Sequence, residues 1–258
     1  MKASMQERYG SPDALHLREV EQPVPDDGQI LVRVRAAAVN AYDWHFMRGD
    51  PYFARARIGL RGPSVKIRGR DFAGEVVAVG AEVTRFAVGD EVYGEVNGAF
   101  AEYVVARNNV AHKPANLTFE QAAAVPLAGN TALIGLRDVA KLAAGQRLLV
   151  NGASGGVGTF AVQLGKVYGA HVTAVCSTRN ADLVSSLGAD RVVDYTREDV
   201  TKADYGAAGS RYDVVLDLVG NHSLGALRRT LTPTGTLILS GGGNSQGGAM
   251  FGPYALIL

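Results

Sequence analysis

Residues 150–158 read VNGASGGVG, and this glycine-rich stretch decides the fold of the chain. A strand-like run at 147–150 precedes it, and a helical run at 157–168 follows it. In that setting bare backbone N–H groups can approach a pyrophosphate, and the helix N-terminus adds favourable partial charge. A tight turn alone would need a single glycine at positive φ, whereas this turn has glycine at 152, 155, 156 and 158. The stretch therefore predicts a dinucleotide-binding turn, with pyrophosphate contacts from Ser154, Gly155, Gly156 and Val157.

The runs that follow this turn alternate between strand and helix. Strand-like runs lie at 171–175, 191–194, 213–218 and 236–239, and helical runs lie near 181–187 and 223–229. This alternation predicts a doubly wound α/β domain, a parallel sheet with helices on both faces. Such sheets usually have about six strands; the sequence supplies five, so we expect the chain to stop before the sheet closes. The apolar end at 251–258 is then expected to be exposed beside an unpaired sheet edge.

The first third of the chain has a different period. Apolar residues at 30, 32 and 34 alternate with other residues, and further short β-branched runs lie at 72–80, 91–96 and 101–105. These runs predict a small β-barrel or sandwich. Thr118 and Gln121 have the spacing of a capping box, and Pro126 should break or restart the helix that they open. We therefore predict an N-terminal domain over residues 1–117 and a dinucleotide-binding domain over 118–258.

The composition excludes several other classes of protein. The 258 residues include 26 Lys and Arg against 25 Asp and Glu, so the net charge of +1 gives no general attraction to nucleic acid or anionic membrane. The one cysteine, Cys176, excludes a disulfide scaffold and a cysteine-rich zinc module, and is typical of a reducing compartment. No apolar run reaches the roughly 18–20 residues of a membrane helix, and the chain does not begin with a signal-peptide pattern. We therefore expect a cytoplasmic protein with no membrane span.

The end of the run at 171–175 bears on the choice between NADH and NADPH. An NAD site usually has an acidic residue about 20 residues after the turn, which binds the ribose 2′-OH. Here the run is followed by Ser177, Thr178 and Arg179, with no carboxylate before Asp182. Ser177 can donate a hydrogen bond, and Arg179 can meet a 2′-phosphate with its planar fork, although Arg179 can also be an ordinary surface charge. We predict NADPH as the cofactor, with Ser177 and Arg179 at its 2′-phosphate.

Several motifs resemble a known family. Residues 145–158 (GQRLLVNGASGGVG), 69–80 (GRDFAGEVVAVG), 88–92 (VGDEV) and 187–190 (LGAD) are similar to the zinc-independent quinone oxidoreductase (zeta-crystallin-like) branch of the medium-chain dehydrogenase/reductases. Residues 171–177 (HVTAVCS) resemble the subgroup of reticulon-4-interacting protein and chloroplast envelope quinone oxidoreductase homologues. The resemblance covers nearly the whole chain. It implies a GroES-like β-barrel domain and a Rossmann domain, with the active site in the cleft between them.

The resemblance also implies roles for individual residues. Asn40 and Thr131 would lie near the nicotinamide ribose and carboxamide, Val219 beside the nicotinamide ring, and Tyr195 against the adenosine phosphate. Zinc-bearing relatives have a cysteine where this chain has Asn40 and a histidine where it has Arg70. A zinc site needs three or four converging ligands, and the histidines of this chain lack such spacing, so we expect no metal.

Without zinc, the implied reaction is hydride transfer from NADPH to an acceptor that is already electrophilic, a quinone or an α,β-unsaturated carbonyl. Negative charge develops on the carbonyl oxygen, where hydrogen-bond donors stabilise it, and water or a tyrosine completes the protonation. Asn40 and Tyr52 are the candidate catalytic residues, and the alternative for Tyr52 is that it only closes the pocket. Asp43 is expected to cap a short helix or order the turn after Asn40.

Other interpretations stay open from the sequence. The chain can be a reductase of alkenals or enoyl thioesters, or it can bind NADPH without turnover as a structural or nucleic-acid-associated protein, which the near-neutral charge disfavours. The seven basic residues between 48 and 70 form either an electropositive cleft mouth or a solvated loop. A homodimer would use the C-terminal sheet edge, so the expected early stop leaves dimerisation open.

Overall fold

The structure is a computed structural model that describes residues 1–50, 52–202 and 211–240. The predictions about a closing strand, the apolar end at 251–258 and the sheet edge beside it fall outside these residues. The chain folds into two compact units, the first over Met1–Leu127 and the second from Ala128 onward. The domain division predicted between residues 117 and 118 stays a prediction.

The first unit is built from short antiparallel strands, whose side chains point alternately to the two faces of a sheet. Its strands are β1 (Lys2–Gln6), β2 (Leu15–Glu19), β3 (Ile30–Ala38), β4 (Asp71–Val79), β5 (Glu91–Glu95), β6 (Tyr103–Ala106) and β7 (Val110–His112). β1 pairs with β2, and the others form a sheet in the order β6-β3-β4-β5-β7. Val32, Phe72, Val76 and Val92 are completely buried in its core.

Short helices connect the strands of this unit. They are α1 (Ala41–Arg48), α2 (Arg55–Ile58) and α3 (Phe119–Ala123), with 3₁₀ turns at Pro12–Ala14 and Tyr52–Ala54. The predicted capping box is confirmed, because Thr118 Oγ1 accepts from Gln121 N at 3.2 Å and Gln121 Oε1 accepts from Thr118 N at 3.0 Å. The predicted restart is confirmed too: α4 (Pro126–Leu133) begins at the proline, where a missing N–H costs no intrahelical bond.

The second unit is a parallel sheet whose strands alternate with helices. Its strands are β8 (Arg147–Asn151), β9 (His171–Cys176), β10 (Arg191–Asp194), β11 (Tyr212–Asp217) and β12 (Leu231–Leu239). Its helices are α5 (Gly156–Val167), α6 (Ala181–Ser186) and α7 (Leu224–Thr230), with a π-helical segment at Ile134–Val139 and a 3₁₀ turn at Thr178–Asn180. The strand order is β10-β9-β8-β11-β12, and every pair is parallel.

This sheet confirms the predicted doubly wound α/β class. The chain order reverses between β8 and β11, and in such sheets ligands bind at this reversal, outside the C-terminal strand ends. One boundary differs from the prediction: β12 begins at Leu231 rather than at residue 236. Leu231 pairs with Tyr212, and a register shift then lets Thr236 pair with Val214, so the strand starts earlier than its apolar run.

Candidate functional site

The glycine-rich turn lies between the end of β8 and the start of α5, as predicted. Gly152 has a φ of +88°, a conformation that residues with a Cβ rarely adopt. A Cβ on Gly158 would lie 2.3 Å from the carbonyl oxygen of Gly152, so the two ends of the turn touch through backbone alone. The turn is therefore too tight for a side chain at either position.

The first turn of α5 is shaped to receive an anion. Its N-cap is Gly155, which has no side chain to bond the first helical N–H groups. These unsatisfied donors and the positive end of the helix dipole favour a phosphate. Ser154 Oγ accepts a hydrogen bond from Asn180 Nδ2 at 3.0 Å, which leaves the hydroxyl hydrogen available to donate. The residues of the turn therefore fit the pyrophosphate of a dinucleotide.

The turn after β9 is tied to the glycine-rich turn by a residue that the sequence interpretation missed. Asn180 Nδ2 donates to Ser154 Oγ at 3.0 Å and lies 3.4 Å from Ser177 Oγ. The two predicted phosphate-binding serines are therefore joined by one amide. Arg179 lies next to Asn180 on the same 3₁₀ turn, its side chain is exposed, and no ion pair within the described ranges holds it. Its guanidinium is accessible to a ligand.

A carboxylate lies beside this turn, although none follows β9 directly in the sequence. Asp194 ends β10 and pairs in register with Cys176 at the end of β9. It accepts hydrogen bonds from the Thr178 hydroxyl and from Thr196 N and Oγ1, and these bonds lower the pKa of Asp194. The parallel register of the two strands is the signal that could have found this residue. Thr178 is thus committed to Asp194, whereas Ser177 and Arg179 stay available.

Tyr195 follows Asp194 and is 57% exposed. It lines a pocket of about 340 Å³, together with Val175, Asn221 and His222. The pocket lies on the C-terminal side of β9, β10 and β11, where ligands bind to sheets of this type. The structure therefore places Tyr195 at the sheet end that also carries the glycine-rich turn.

Val219 lies against the glycine-rich turn and is held there by a buried carboxylate. Asp217, which is 2% exposed, accepts from Asn151 Nδ2 at 2.8 Å and from Val219 N and Gly220 N, both at 3.1 Å. A Cβ on Gly152 would come within 2.8 Å of Val219 Cγ2. The structure thus brings Val219 to the turn, and its position beside the nicotinamide ring stays a prediction. Sequence reasoning did not identify the role of Asp217.

Thr131 lies on α4, close to the same turn. A Cβ on Gly156 would lie 3.7 Å from the Cβ of Ala128, so the first turns of α4 and α5 are neighbours. Thr131 is half-buried and follows Ala128 by three residues, a spacing that puts both on one helix face. Thr131 is therefore on the face of α4 that borders the candidate cofactor site.

In the first unit, Asn40 is held through two carboxylates. It is the N-cap of α1, and its backbone N donates to Asp43 Oδ2 at 2.9 Å, so the predicted capping role of Asp43 is confirmed. Its side-chain Nδ2 donates to Asp71 Oδ2 at 3.1 Å. Asp71 is completely buried and also accepts from Leu127 N, at 3.2 Å through Oδ1 and 3.0 Å through Oδ2. The sequence interpretation did not identify Asp71, whose partners are distant in the chain.

Arg70, at the position where zinc-bearing relatives have a histidine, forms an ion pair instead. Its guanidinium bonds Glu95 Oε1, and its Nη1 donates to Asn97 Oδ1 at 2.9 Å. Within residues 1–50, 52–202 and 211–240, no group of three or more His, Cys, Asp or Glu side chains is arranged to hold a metal ion. Zinc independence stays a prediction.

Asn40 is at the N-terminal end of α1, whereas Tyr52 follows the C-terminal end of that helix. It is 47% exposed, and its ring lies 4.4 Å from the Arg55 guanidinium, which also lies 4.5 Å from the ring of Tyr9. Arg55 Nε donates to Gly49 O at 2.9 Å, so this cation also satisfies the C-terminal end of α1. Tyr52 is thus placed in a small aromatic and basic cluster.

The basic run between 48 and 70 is divided among different partners. Arg48 stacks over Trp44 at 4.7 Å, and the buried Arg68 donates to Gln6 Oε1 at 3.4 Å. With Arg55 between two tyrosines and Arg70 on Glu95, these four arginines each have a local structural role. The remaining basic residues of the run, Arg57, Arg61 and Lys66, are exposed.

The sequence matches two protein families along its length. Residues 26–116 match the alcohol dehydrogenase GroES-like domain, and residues 156–258 match the zinc-binding dehydrogenase family. The chloroplast envelope quinone oxidoreductase homolog of Arabidopsis thaliana is 35% identical over 254 residues, which cover 92% of this chain and 74% of that protein. The mitochondrial NAD(P)H oxidoreductase RTN4IP1 of Homo sapiens is 38% identical over 240 residues, which cover 85% and 60%.

Two further proteins carry a substrate or cofactor in their names. The 2-methylene-furan-3-one reductase of Solanum lycopersicum is 39% identical over 239 residues, which cover 85% of this chain and 57% of that protein. The structure of Escherichia coli quinone oxidoreductase complexed with NADPH superposes with a TM-score of 0.83 at 27% identity, over 96% of this chain and 74% of that chain. The chain spans 57 to 74% of the length of these three curated relatives.

A GroES-like domain of antiparallel strands, followed by a doubly wound sheet with a glycine-rich turn, defines a medium-chain dehydrogenase/reductase. Within that superfamily the chain belongs to the quinone oxidoreductase branch, in the group of RTN4IP1 and the chloroplast envelope homologues. The family and the two-domain fold class predicted from the motifs are thereby confirmed.

Proposed function

We propose that the protein is an NADPH-dependent, zinc-independent oxidoreductase that transfers hydride to a quinone or an α,β-unsaturated carbonyl. The observation that carries the proposal is the glycine-rich turn, in which Gly152 and Gly158 meet through backbone and Gly155 leaves the first amides of α5 without a capping side chain. Such a turn is shaped to accept a pyrophosphate. The names of the human and bacterial relatives support a nicotinamide cofactor.

We assign the cofactor contacts by their position along the sheet. Ser154, Gly155, Gly156 and Val157 would bind the pyrophosphate. Ser177 and the accessible guanidinium of Arg179 would bind the 2′-phosphate, with Tyr195 beside the adenosine. Support for this assignment comes from the Asn180 amide, which joins Ser154 to Ser177 and so holds the two phosphate sites together. The Asp194 carboxylate already accepts three hydrogen bonds from Thr178 and Thr196, which disfavours it as the acceptor for a ribose 2′-OH.

The bound nicotinamide supplies the hydride. Val219 and Thr131 would flank it, and Asn40 would orient it by accepting a hydrogen bond from its ribose or carboxamide. The Nδ2 atom of Asn40 already donates to Asp71, and the capping box of α1 places the backbone N of Asp43 against the Asn40 side-chain acceptor. The Oδ1 atom has a second lone pair, which is open to that role. An acceptor that is already electrophilic needs no metal to form an alkoxide, and donors near its oxygen stabilise the developing charge. Tyr52 is the candidate proton donor, and its ring packs against the Arg55 guanidinium.

A second candidate is the reduction of alkenals or enoyl thioesters. The tomato relative is named for the reduction of an enone. The polarised carbon–carbon double bond of an enone is also present in alkenals and enoyl thioesters. Both candidates use the same hydride donor and differ only in the pocket that receives the acceptor. A panel of acceptors therefore separates them.

The test at 340 nm is NADPH oxidation with quinones, alkenals and an enoyl thioester, and NADP⁺ reduction with alcohols, each with and without a chelator. We expect turnover with quinones or enones, none with alcohols, and no effect of the chelator. Loss of turnover with the chelator would overturn the zinc-free assignment. NADPH binding with no turnover on any acceptor would instead favour the binding-only alternative.

Location and assembly stay predictions. No helix among the described residues is long and apolar enough to cross a membrane. The named relatives are chloroplastic and mitochondrial proteins, so our expectation of a cytoplasmic protein needs a fractionation experiment. Homodimerisation needs sedimentation or light scattering on the full chain.

A further inference from the structure

We propose that Asp71 is a positioning residue, which turns the Asn40 side chain so that its amide oxygen is presented to the ligand. The proposal rests on the proposed function, because it concerns the residue that we place at the nicotinamide. It assigns a function to a buried carboxylate that the sequence motifs leave unexplained. It also predicts that the Asn40 subsite takes a hydrogen-bond donor, an O–H or N–H, rather than an acceptor.

The orientation of the Asn40 amide follows from the chemistry of its partner. An ionised carboxylate only accepts hydrogen bonds, so the atom of Asn40 that lies 3.1 Å from Asp71 Oδ2 must be the NH₂ group. The carbonyl oxygen of the amide then faces away from Asp71 and toward the backbone N of Asp43, its partner in the capping box of α1, and it keeps a second lone pair for the ligand. A neutral acid or an amide at position 71 could bond either end of Asn40, and only the capping box with Asp43 would then favour this orientation.

Three elements converge on this one carboxylate. Asp71 is the first residue of β4, Asn40 is the N-cap of α1, and Leu127 is in the first turn of α4. Leu127 N lies in the first turn of α4, and Asp71 binds it with both oxygens. Asp71 is completely buried, so water does not compete for these bonds. The carboxylate therefore holds the side chain of Asn40 in a fixed position relative to the backbone of β4 and α4.

The charge of Asp71 is sensitive to pH in the neutral range. Burial raises the pKa of Asp71 to about 6, although the bonds from Leu127 and Asn40 lower it, and the nearby charges of Glu95 and Asp43 raise it further. Below this pKa one oxygen carries a proton and becomes a donor. The carboxyl group then no longer requires the NH₂ end of Asn40.

The groups around Asp71 show which neighbouring charge can be changed in order to alter its pKa. Arg70 is adjacent in sequence, but its guanidinium is bonded to Glu95 and Asn97. On the other side, α3 contributes the buried Ala122 and Ala123, which have no charge. Glu95 is therefore the group whose neutralisation should change the pKa of Asp71 without touching Asn40.

The experiment compares the pH dependence of kcat/KM for NADPH in the wild type, Asp71→Asn and Glu95→Gln. In the wild type we expect a fall below about pH 6, carried by KM. In Asp71→Asn we expect kcat/KM at neutral pH to fall about tenfold, equivalent to loss of about one hydrogen bond, with a flat acid limb. In Glu95→Gln the acid limb should move to lower pH. An Asp71→Asn profile that matches the wild type would overturn the proposal.

A second measurement does not depend on activity. The side-chain ¹⁵N–¹H₂ resonances of Asn40 in the cofactor-free protein, identified by their absence in Asn40→Ala, should titrate with a midpoint near the pKa of Asp71. Glu95→Gln should lower that midpoint. Resonances that do not change between about pH 5 and 8 would refute the positioning role, even if Asp71→Asn fails to fold. A protein that shows this titration yet never oxidises NADPH would contradict the proposed function and leave the role of Asp71 intact.

Discussion

Two candidate cofactor-binding regions, one in each unit, are built in opposite ways, and we call them the phosphate end and the Asn40 end. The phosphate end is a single stretch, residues 150–158, whose shape depends on backbone atoms that touch where side chains are missing. The Asn40 end is made of side chains that meet across 31 and 56 positions of sequence, through one buried carboxylate. A local backbone shape is visible in the sequence as a run of glycines, whereas a carboxylate whose partners are distant in the chain has no such pattern. The two ends should therefore also respond differently to mutation.

The largest effect is expected where the backbone cannot yield. Gly158→Ala would put a Cβ 2.3 Å from Gly152 O and 2.7 Å from Ala153 Cα. Overpacking against backbone costs about 3 kcal/mol or more, so we expect that loss in the free energy of unfolding, measured in urea, and loss of NADPH binding. Gly156→Ala is the control for stability alone, because its Cβ would meet only Ala128 Cβ at 3.7 Å. Wild-type stability in Gly158→Ala would show that the turn can relax.

The next largest effect concerns the phosphate end, where the loss of affinity should differ between NADPH and NADH. Arg179→Ala should raise the NADPH dissociation constant about 10- to 100-fold, because a hydrogen bond to a charged group contributes about 1.5–3 kcal/mol. NADH, which has no 2′-phosphate, should bind unchanged. Fluorescence titration measures both. Arg137→Ala is a matched control, since Arg137 is an exposed arginine of the second unit that pairs with Asp138. An equal loss for both cofactors in Arg179→Ala would disprove the phosphate assignment.

The phosphate end was predictable because every signal lay in one stretch or repeated along the chain. Four glycines between a strand-like and a helical run fixed the turn, and the capping box of Thr118 and Gln121 fixed the start of α3. The resemblance placed Val219, and the structure puts it against Gly152. These signals are local, so a single sequence carries them.

The remaining residues depend on tertiary register. Asp194 lies beside the turn after β9 only because β10 is its neighbour in the sheet, and Asn180 bridges Ser154 only because β8 and β9 end together. Asp71 needs Leu127 to reach it. None of these pairs is close in sequence, and an aspartate in sequence gives no indication of burial. They become visible only when the strand order is known.

The buried carboxylate of the Asn40 end should make the free energy of unfolding depend on pH. The pKa of Asp71 rises from 3.8 to about 6 on folding, mainly through burial. Between these values the folded state binds more protons than the unfolded state, so the stability contributed by Asp71 falls as pH rises through this window. The wild type should therefore lose up to about 2 kcal/mol between pH 4.5 and 7 relative to Asp71→Asn.

Urea unfolding of both proteins at the two pH values measures this difference. Asp71→Asn at pH 7 should then be no less stable than the wild type while it binds NADPH more weakly, as expected where a residue is kept for function at some cost in stability. A stability difference that does not vary with pH would show that the Asp71 carboxyl keeps the same pKa in both states. This result would leave its hydrogen bonds as a purely structural feature.

The smallest effect concerns Asp217, the buried carboxylate of the second unit. Like Asp71 it lies at a strand end and gathers donors, here Asn151 Nδ2, Val219 N and Gly220 N on one oxygen. All of these donors can still bond the amide oxygen of an asparagine, but neutral bonds are weaker than bonds to a charge. Asp217→Asn should therefore lower the free energy of unfolding by only about 1 kcal/mol and leave NADPH affinity within about twofold.

Asp217→Ala is the stronger version, since it leaves those three donors without an acceptor and frees the loop that holds Val219 against Gly152. Its NADPH affinity should fall together with its stability, because the phosphate end depends on a fixed backbone. If Asp217→Asn instead weakened NADPH binding as strongly as Asp71→Asn, the contrast between a backbone-built and a carboxylate-built end would fail. Both ends would then depend on buried charge rather than on backbone shape alone.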